Sequence, residues 1–111
     1  MIPERMRAGI ARTFQHRTLL AILCDAQDDR CGICGGIMDR RRAARRQNGP
    51  NCPSIDHVMP QALGGWKGRG NVVAAHVRCN TAKGARWPTP GELAFLDTVN
   101  AALGWARRTA A

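Results

Sequence analysis

Apolar positions recur at helical spacing in two stretches, one toward each end of the chain, and the pattern between them is different. From about Thr13, the residues Phe14, Leu19, Leu20, Ile22 and Leu23 fall on one side of a helix that ends near the polar run from Asp25 to Asp29. Toward the C-terminus, Leu93, Leu96, Val99 and Leu103 recur at helical intervals with Phe95 beside them. That stretch is well punctuated. Thr89-Pro90-Gly91-Glu92 has the reciprocal spacing of a capping box with proline at the first helical position, and Gly104 offers a stop. Both stretches read as helices that cover a small core.

The middle of the chain breaks this period. Ser54 to Met59 predicts a short strand that Pro60 stops or leaves at an edge. Asn71 is placed as a helix start, with the apolar Val72, Val73, Ala74 and Ala75 behind it, so the region predicts a hairpin feeding a helix. Gly64-Gly65 and Gly68-Arg69-Gly70 enclose Trp66 and Lys67 in a loop expected to be flexible and basic, and Asn48-Gly49-Pro50-Asn51 marks a turn. Residues 1–12 read as a flexible basic leader and residues 13–111 as a single domain.

Composition narrows the choice. A chain of 111 residues suits one domain, whose apolar core is marginal at this size, so a bound metal is a natural reinforcement. Lys and Arg number 17 against 8 Asp and Glu, a formal charge of +9 that favours polyanionic partners, nucleic acid first. No apolar run is long enough to span a bilayer, so no membrane partner is expected. The first 23 residues lack the form of a secretory leader, and five cysteines, an odd number, do not make a complete disulfide framework. A reducing, cytoplasmic setting with thiolate ligation is the expectation.

Two pairs of soft ligands stand out, Cys31 with Cys34 and His76 with Cys79, each separated by two residues. Four sulfur or imidazole donors are the usual complement of a structural zinc, and each pair lets one short turn aim two side chains at one ion. Cys52 is the rival fourth ligand, ranked below His76 because it has no local partner and Pro53 stiffens its exit. A redox couple or two buried thiols would explain either cysteine pair taken singly. Four ligands leave no open position, so this ion would staple the fold and take no part in chemistry.

The pairs bracket Asp56-His57, which neither needs. Hydrolysis of a phosphodiester requires an activated water, neutralisation of charge on the phosphate and help for the leaving oxygen. Asp56, with the amide oxygen of Asn80, offers oxygen ligands for a hard divalent cation such as Mg2+, Mn2+ or Ni2+, and His57 offers a general base. Strand alternation would aim Asp56 and His57 at opposite faces, so a bulge or strand end near Met59-Pro60 is expected to turn both toward one cleft.

The order of these features from Cys31 to Lys83 resembles the HNH endonuclease family, particularly its small zinc-containing phage and bacterial members. The resemblance rests on the two knuckles, Asp56-His57-Val58-Met59-Pro60, Gly64-Gly65, Asn71 and Cys79-Asn80. It implies an α+β fold with a ββα-metal (His-Me finger) core over 31–86, a structural zinc clamp and flanking helices, the last of them packing at about 90–104. It implies an endonuclease that nicks or cuts double-stranded DNA with limited sequence specificity. Asp56 and Asn80 would hold the catalytic ion, His57 would be the base, and Asn71 would orient the loop and hold His57 through its backbone. The family's usual cysteine at the second knuckle is His76 here, and Asn80 stands where several members carry histidine.

The basic residues supply candidate phosphate contacts: Arg40, Arg41, Arg42, Arg45 and Arg46 on one flank, Lys67 and Arg69 in the glycine loop, and Lys83 and Arg86 after the second knuckle. A solvated helix or loop explains the arginine run equally well. Trp66 is read as a loop anchor before a base stacker. A zinc-stabilised nucleic-acid-binding module without hydrolytic activity is the alternative, followed by a phage assembly adaptor. A homodimer through the last helix, or membership of a larger phage or DNA-processing complex, stays open at the level of sequence.

Overall fold

The computed structural model of the chain describes residues 18–41 and 49–111. The leader, the residues from Thr13 to Arg17, and Arg42, Arg45 and Arg46 lie outside them. The elements in order are α1 (Leu19–Ala26), β1 (Pro53–His57), a 3-10 turn (Gln61–Leu63), β2 (Val72–His76), α2 (Val77–Lys83) and α3 (Pro90–Leu103). None of these helices is long and apolar enough to cross a membrane.

Two helices form where the apolar spacing predicts them, although the first starts at Leu19 and not near Thr13. Thr18 is extended, and its hydroxyl accepts the Ala21 N–H at 3.1 Å, so α1 has a capped start at Leu19 and buries Ile22, Leu23 and Cys24. In α3 the capping box is complete: the Thr89 hydroxyl accepts the Glu92 N–H at 3.1 Å, and the Glu92 carboxylate accepts the Thr89 N–H at 3.0 Å. Gly104 then ends the helix with a left-handed φ of 71°. Glu92 is also gripped bidentately by Arg86 at 2.8 Å, and that guanidinium, ahead of the Thr89 N–H, draws the carboxyl down to about 2.

The largest departure from the sequence reading is at Asn71. No helix starts there. Val72 to His76 is a strand buried along its whole length, paired antiparallel with β1 in the register Asp56 opposite Val73 and His57 opposite Val72. A short continuous apolar run has the same periodicity in a buried strand as in a buried helix, and the β-branched Val72 and Val73 settle it for the strand. The helix begins only at Val77. β1 likewise occupies Pro53–His57 where Ser54 to Met59 was expected.

β2 is protected on its far edge by side chain and knuckle. The Gln27 amide mimics a neighbouring strand: its oxygen accepts the Ala74 N–H at 2.7 Å, and its nitrogen donates to the Ala74 carbonyl at 2.9 Å. Gly32 donates its N–H to that same carbonyl at 2.9 Å. A side chain at Gly32 would come within 2.6 Å of Val73, so glycine is what lets the first knuckle lie against the sheet. Leu23, Val58, Val72, Val73, Leu96 and Val99 fill the core between α1, the hairpin and α3.

Candidate functional site

The fold brings both predicted ligand pairs to one point. Cys31 and Cys34 sit on a tight turn closed by the Cys31 N–H to the Gly36 carbonyl at 2.8 Å, with Gly35 at a φ of 76° that glycine adopts without strain. His76 ends β2 and Cys79 lies in the first turn of α2, three residues on. The four ligand atoms all lie within 4.8 Å of one another. Two edges of the cluster test its fit: His76 Nδ1 is 3.3 Å from Cys34 Sγ and 3.7 Å from Cys79 Sγ. A tetrahedral ion with bonds of about 2.3 Å to sulfur and 2.0 Å to nitrogen sets such edges at about 3.5 Å. The Cys3His cluster is therefore built to coordinate a metal ion.

Its surroundings agree. His76 Nε2 donates to the Ile37 carbonyl at 2.9 Å, which leaves Nδ1 as the lone-pair nitrogen facing the thiols. Cys31 Sγ accepts N–H groups from Ile33, Cys34 and His76 at 3.3–3.5 Å. The Gly36 N–H, foremost, draws the Cys34 thiol down to about 6, whereas burial pushes Cys79 up to about 11. Cys52, the rival ligand, is outside the cluster and takes the Gly49 N–H at 3.3 Å.

On the other side of the hairpin, Asp56, His57 and Asn80 line one open cleft of about 310 Å³, together with Gln61 and Ala85. No bulge is needed for this, since the β1–β2 register is unbroken to His57 and the strand simply ends there. The imidazole is half-buried, with Nε2 3.2 Å from both the Lys67 carbonyl and the Gln61 amide nitrogen. The carbonyl only accepts and favours a proton on Nε2, whereas an amide nitrogen only donates; turning the Gln61 amide over sets its oxygen against Nε2, so that both neighbours take the Nε2 proton and the lone pair stays on Nδ1. Asn80 Nδ2 donates to Ser54 Oγ at 3.1 Å and to the Ile55 carbonyl at 3.0 Å, which fixes the amide and leaves its oxygen without a role in those bonds.

Lys83 is not where a phosphate contact should be. Its side chain is 0% exposed, and its ammonium lies 3.0 Å from both oxygens of Asp56, 2.9 Å from the Val58 carbonyl and 3.3 Å from that of His57. Helix α2 presents the residue four after Cys79 to the underside of β1, so the lysine faces inward. Asp56 is 5% exposed but keeps uncommitted lone pairs, since a carboxylate has about four sites and the ammonium takes one on each oxygen. Lys83→Met is expected to cost about 3 kcal/mol or more in urea unfolding, because it leaves a carboxylate buried without its cation. Unchanged stability would show that this pair is not holding α2 against β1.

Asn71 is fully buried and acts on the loop after His57. Its side chain pairs with both backbone groups of Met59 at 2.9 Å and donates to the Trp66 carbonyl at 2.6 Å. It thus clamps the two ends of the 59–66 segment, two residues beyond the histidine, and caps no helix. Gly64 to Gly70, expected to be flexible, is pinned: the chain after α3 hydrogen-bonds along it, from Ala111 N–H to Gly64 at 2.9 Å to Arg108 N–H to Gly70 at 2.9 Å.

Among the predicted basic contacts, Arg40 is paired with Asp25 at 2.7 Å and Asp29 at 2.6 Å, and Arg86 with Glu92. Arg41, Lys67 and Arg69 are exposed. Gln61, Ser54 and Gln27 escaped the sequence reading, since each acts through a single amide or hydroxyl with no motif around it. Residues 31–86, about half of the chain, match the family model described as HNH endonuclease. No curated protein matches the chain.

Proposed function

The chain belongs to the HNH endonuclease family, and from that premise we propose that it is a metal-dependent endonuclease acting on double-stranded DNA. The observation that carries the reading is the shared cleft of Asp56, His57 and Asn80, open to solvent, with the backbone of the exposed Lys67 against His57. Zinc is the ion we assign to Cys31, Cys34, His76 and Cys79, on the softness of three sulfurs and one imidazole and on the tetrahedral edges. A divalent cation held by Asp56 and Asn80 would supply neutralisation of the phosphate and of the leaving oxygen.

The chain's own groups account for the remaining work. His57, its Nε2 proton directed at the Lys67 carbonyl, presents Nδ1 as base to a water beside the phosphate. Asn71 holds the backbone of Met59 and Trp66, so the loop that carries Lys67 keeps its carbonyl against the ring. Lys83 orients the Asp56 carboxylate from beneath, and Ser54 with the Ile55 carbonyl orients Asn80. Each reacting group therefore has its rotamer fixed by a neighbour before substrate arrives, the condition for a small site to work.

One observation favours a second reading, a zinc-stabilised DNA-binding module without catalysis: both Asp56 oxygens already face an ammonium. Incubating the zinc-loaded protein with supercoiled plasmid and magnesium, manganese or nickel separates the two. Conversion to nicked or linear plasmid, dependent on the added ion, is expected. Retained DNA affinity with no cleavage under any of the three would establish the second reading.

A further inference from the structure

From the sequence, the glycine loop carries two cations and the chain after α3 has no role. In the folded protein these two segments form one ribbon. The tail runs antiparallel to the loop, with Arg108 N–H donating to the Gly70 carbonyl at 2.9 Å, Trp66 N–H to that of Thr109 at 3.1 Å and Ala111 N–H to that of Gly64 at 2.9 Å. Gly65 and Ala110 form a bridge within it. Gly70, at a φ of 96°, permits the approach, since a side chain there would lie 2.5 Å from the Ala106 carbonyl. Asn100 of α3 donates to the Gly70 carbonyl at 3.2 Å and ties the ribbon to the core.

The cations of this ribbon differ from the other arginines in what holds them. Arg108 lies 3.3 Å from the Trp66 ring centroid, Arg69 5.3 Å from that of Trp105 and Lys67 6.0 Å from that of Trp66. Arg40, Arg86 and Arg107 are held instead by Asp25 and Asp29, Glu92 and Asp97. A carboxylate orients a guanidinium and cancels its charge. An indole face orients it and leaves the charge in place, at a small cost in side-chain freedom when an anion binds. No ion pair among the described residues involves Lys67, Arg69 or Arg108. The ribbon is thus a preordered, uncompensated positive surface, and the Lys67 carbonyl within it touches His57 Nε2 at 3.2 Å.

We propose that the loop–tail ribbon is the surface on which this protein grips the DNA backbone, with Arg69 and Arg108 contacting phosphates and the strand led from there to His57. Its direction toward the cleft rests on the nuclease reading. The two tryptophans act as supports for the guanidinium groups and do not read bases, and the carboxylate-paired Arg86 and the buried Lys83 make no phosphate contact.

The test is the salt dependence of duplex oligonucleotide binding by zinc-loaded protein, followed by fluorescence anisotropy with no divalent ion added. Each phosphate contact contributes about 0.9 to the slope of log K against log salt. The double variant Arg69→Gln, Arg108→Gln, which keeps most of each aliphatic stem, is expected to lower the slope by roughly 1.8. Arg107→Gln, whose guanidinium is engaged by Asp97, should leave it unchanged, and Arg108→Lys should retain the slope with the charge. An unchanged slope in the double variant overturns the proposal. So does an equal fall in Arg107→Gln, which would reduce the effect to net charge. A protein that nicks plasmid while the double variant binds like wild type fails only this inference. One that loses slope as described but never cuts fails only the catalytic reading.

Discussion

Removing the metal from Cys31, Cys34, His76 and Cys79 is expected to abolish the native fold, not merely to soften it. The magnitudes decide this. A structural zinc contributes on the order of 10–16 kcal/mol in small domains that depend on it, while whole domains are stable by only about 5–15 kcal/mol. The cluster ties the 31–36 turn to the junction of β2 and α2, a contact otherwise made by few backbone hydrogen bonds such as that of Gly32 to Ala74. Among the described residues the sheet has two strands and no third to replace that connection. A strong chelator should therefore collapse the far-UV signal together with release of one zinc per chain. Cys31→Ser should do the same without chelator, since that residue is 1% exposed and its sulfur accepts three N–H groups. Cys52→Ser should still bind one zinc. If a zinc-free sample, verified by elemental analysis, kept its spectrum and a cooperative melt, the metal would have no claim on folding.

How far the sequence reaches is visible in that cluster. Its four ligands were legible because a knuckle is a local device: two residues of spacing fix two donors wherever the turn ends up. Helix α3 was legible for the same reason, its cap and stop both written within a few residues of its ends. β2 was not, because Val72 to Ala75 is apolar at every position and periodicity carries no signal when no face is polar. The β-branched Val72 and Val73 favour a strand, and Gln27, 47 residues from Ala74, supplies an edge partner that lies outside any local window.

The cleft divides in the same way. Asp56, His57 and Asn80 were found by their order and do meet. Lys83 was misplaced because a lysine in a basic chain is expected in solvent, and only the placement of α2 beneath β1 makes it the buried partner of Asp56. The arginines could not be ranked from sequence at all. Their availability depends on whether a carboxylate or an indole lies beneath each one, which is a property of packing. Asn71 illustrates the converse: asparagine next to an apolar run fits a helix cap, yet its amide is fully enclosed and serves Met59 and Trp66.

His57→Ala is expected to lower the single-turnover rate of plasmid nicking by about 10²–10⁴, the range associated with loss of a positioned general base, while leaving the fold nearly untouched. The separation follows from where the ring sits. It is half-buried at the end of β1, makes no contact with the metal cluster, and is held by the Lys67 carbonyl and the Gln61 amide at the mouth of the cleft. The backbone pairing with Val72 does not depend on the side chain. Urea unfolding should shift by about 1 kcal/mol or less, as for one net hydrogen bond lost, and duplex affinity without divalent ion should be unchanged because no cation is removed. The loss should therefore appear in the rate constant at saturating protein and not in the binding midpoint, the signature of an interaction made in the transition state. Gln61→Ala, which removes one of the two groups at Nε2, should fall between wild type and His57→Ala, because the Lys67 carbonyl still holds the tautomer. Equal cutting by His57→Ala and wild type would remove this imidazole from the reaction.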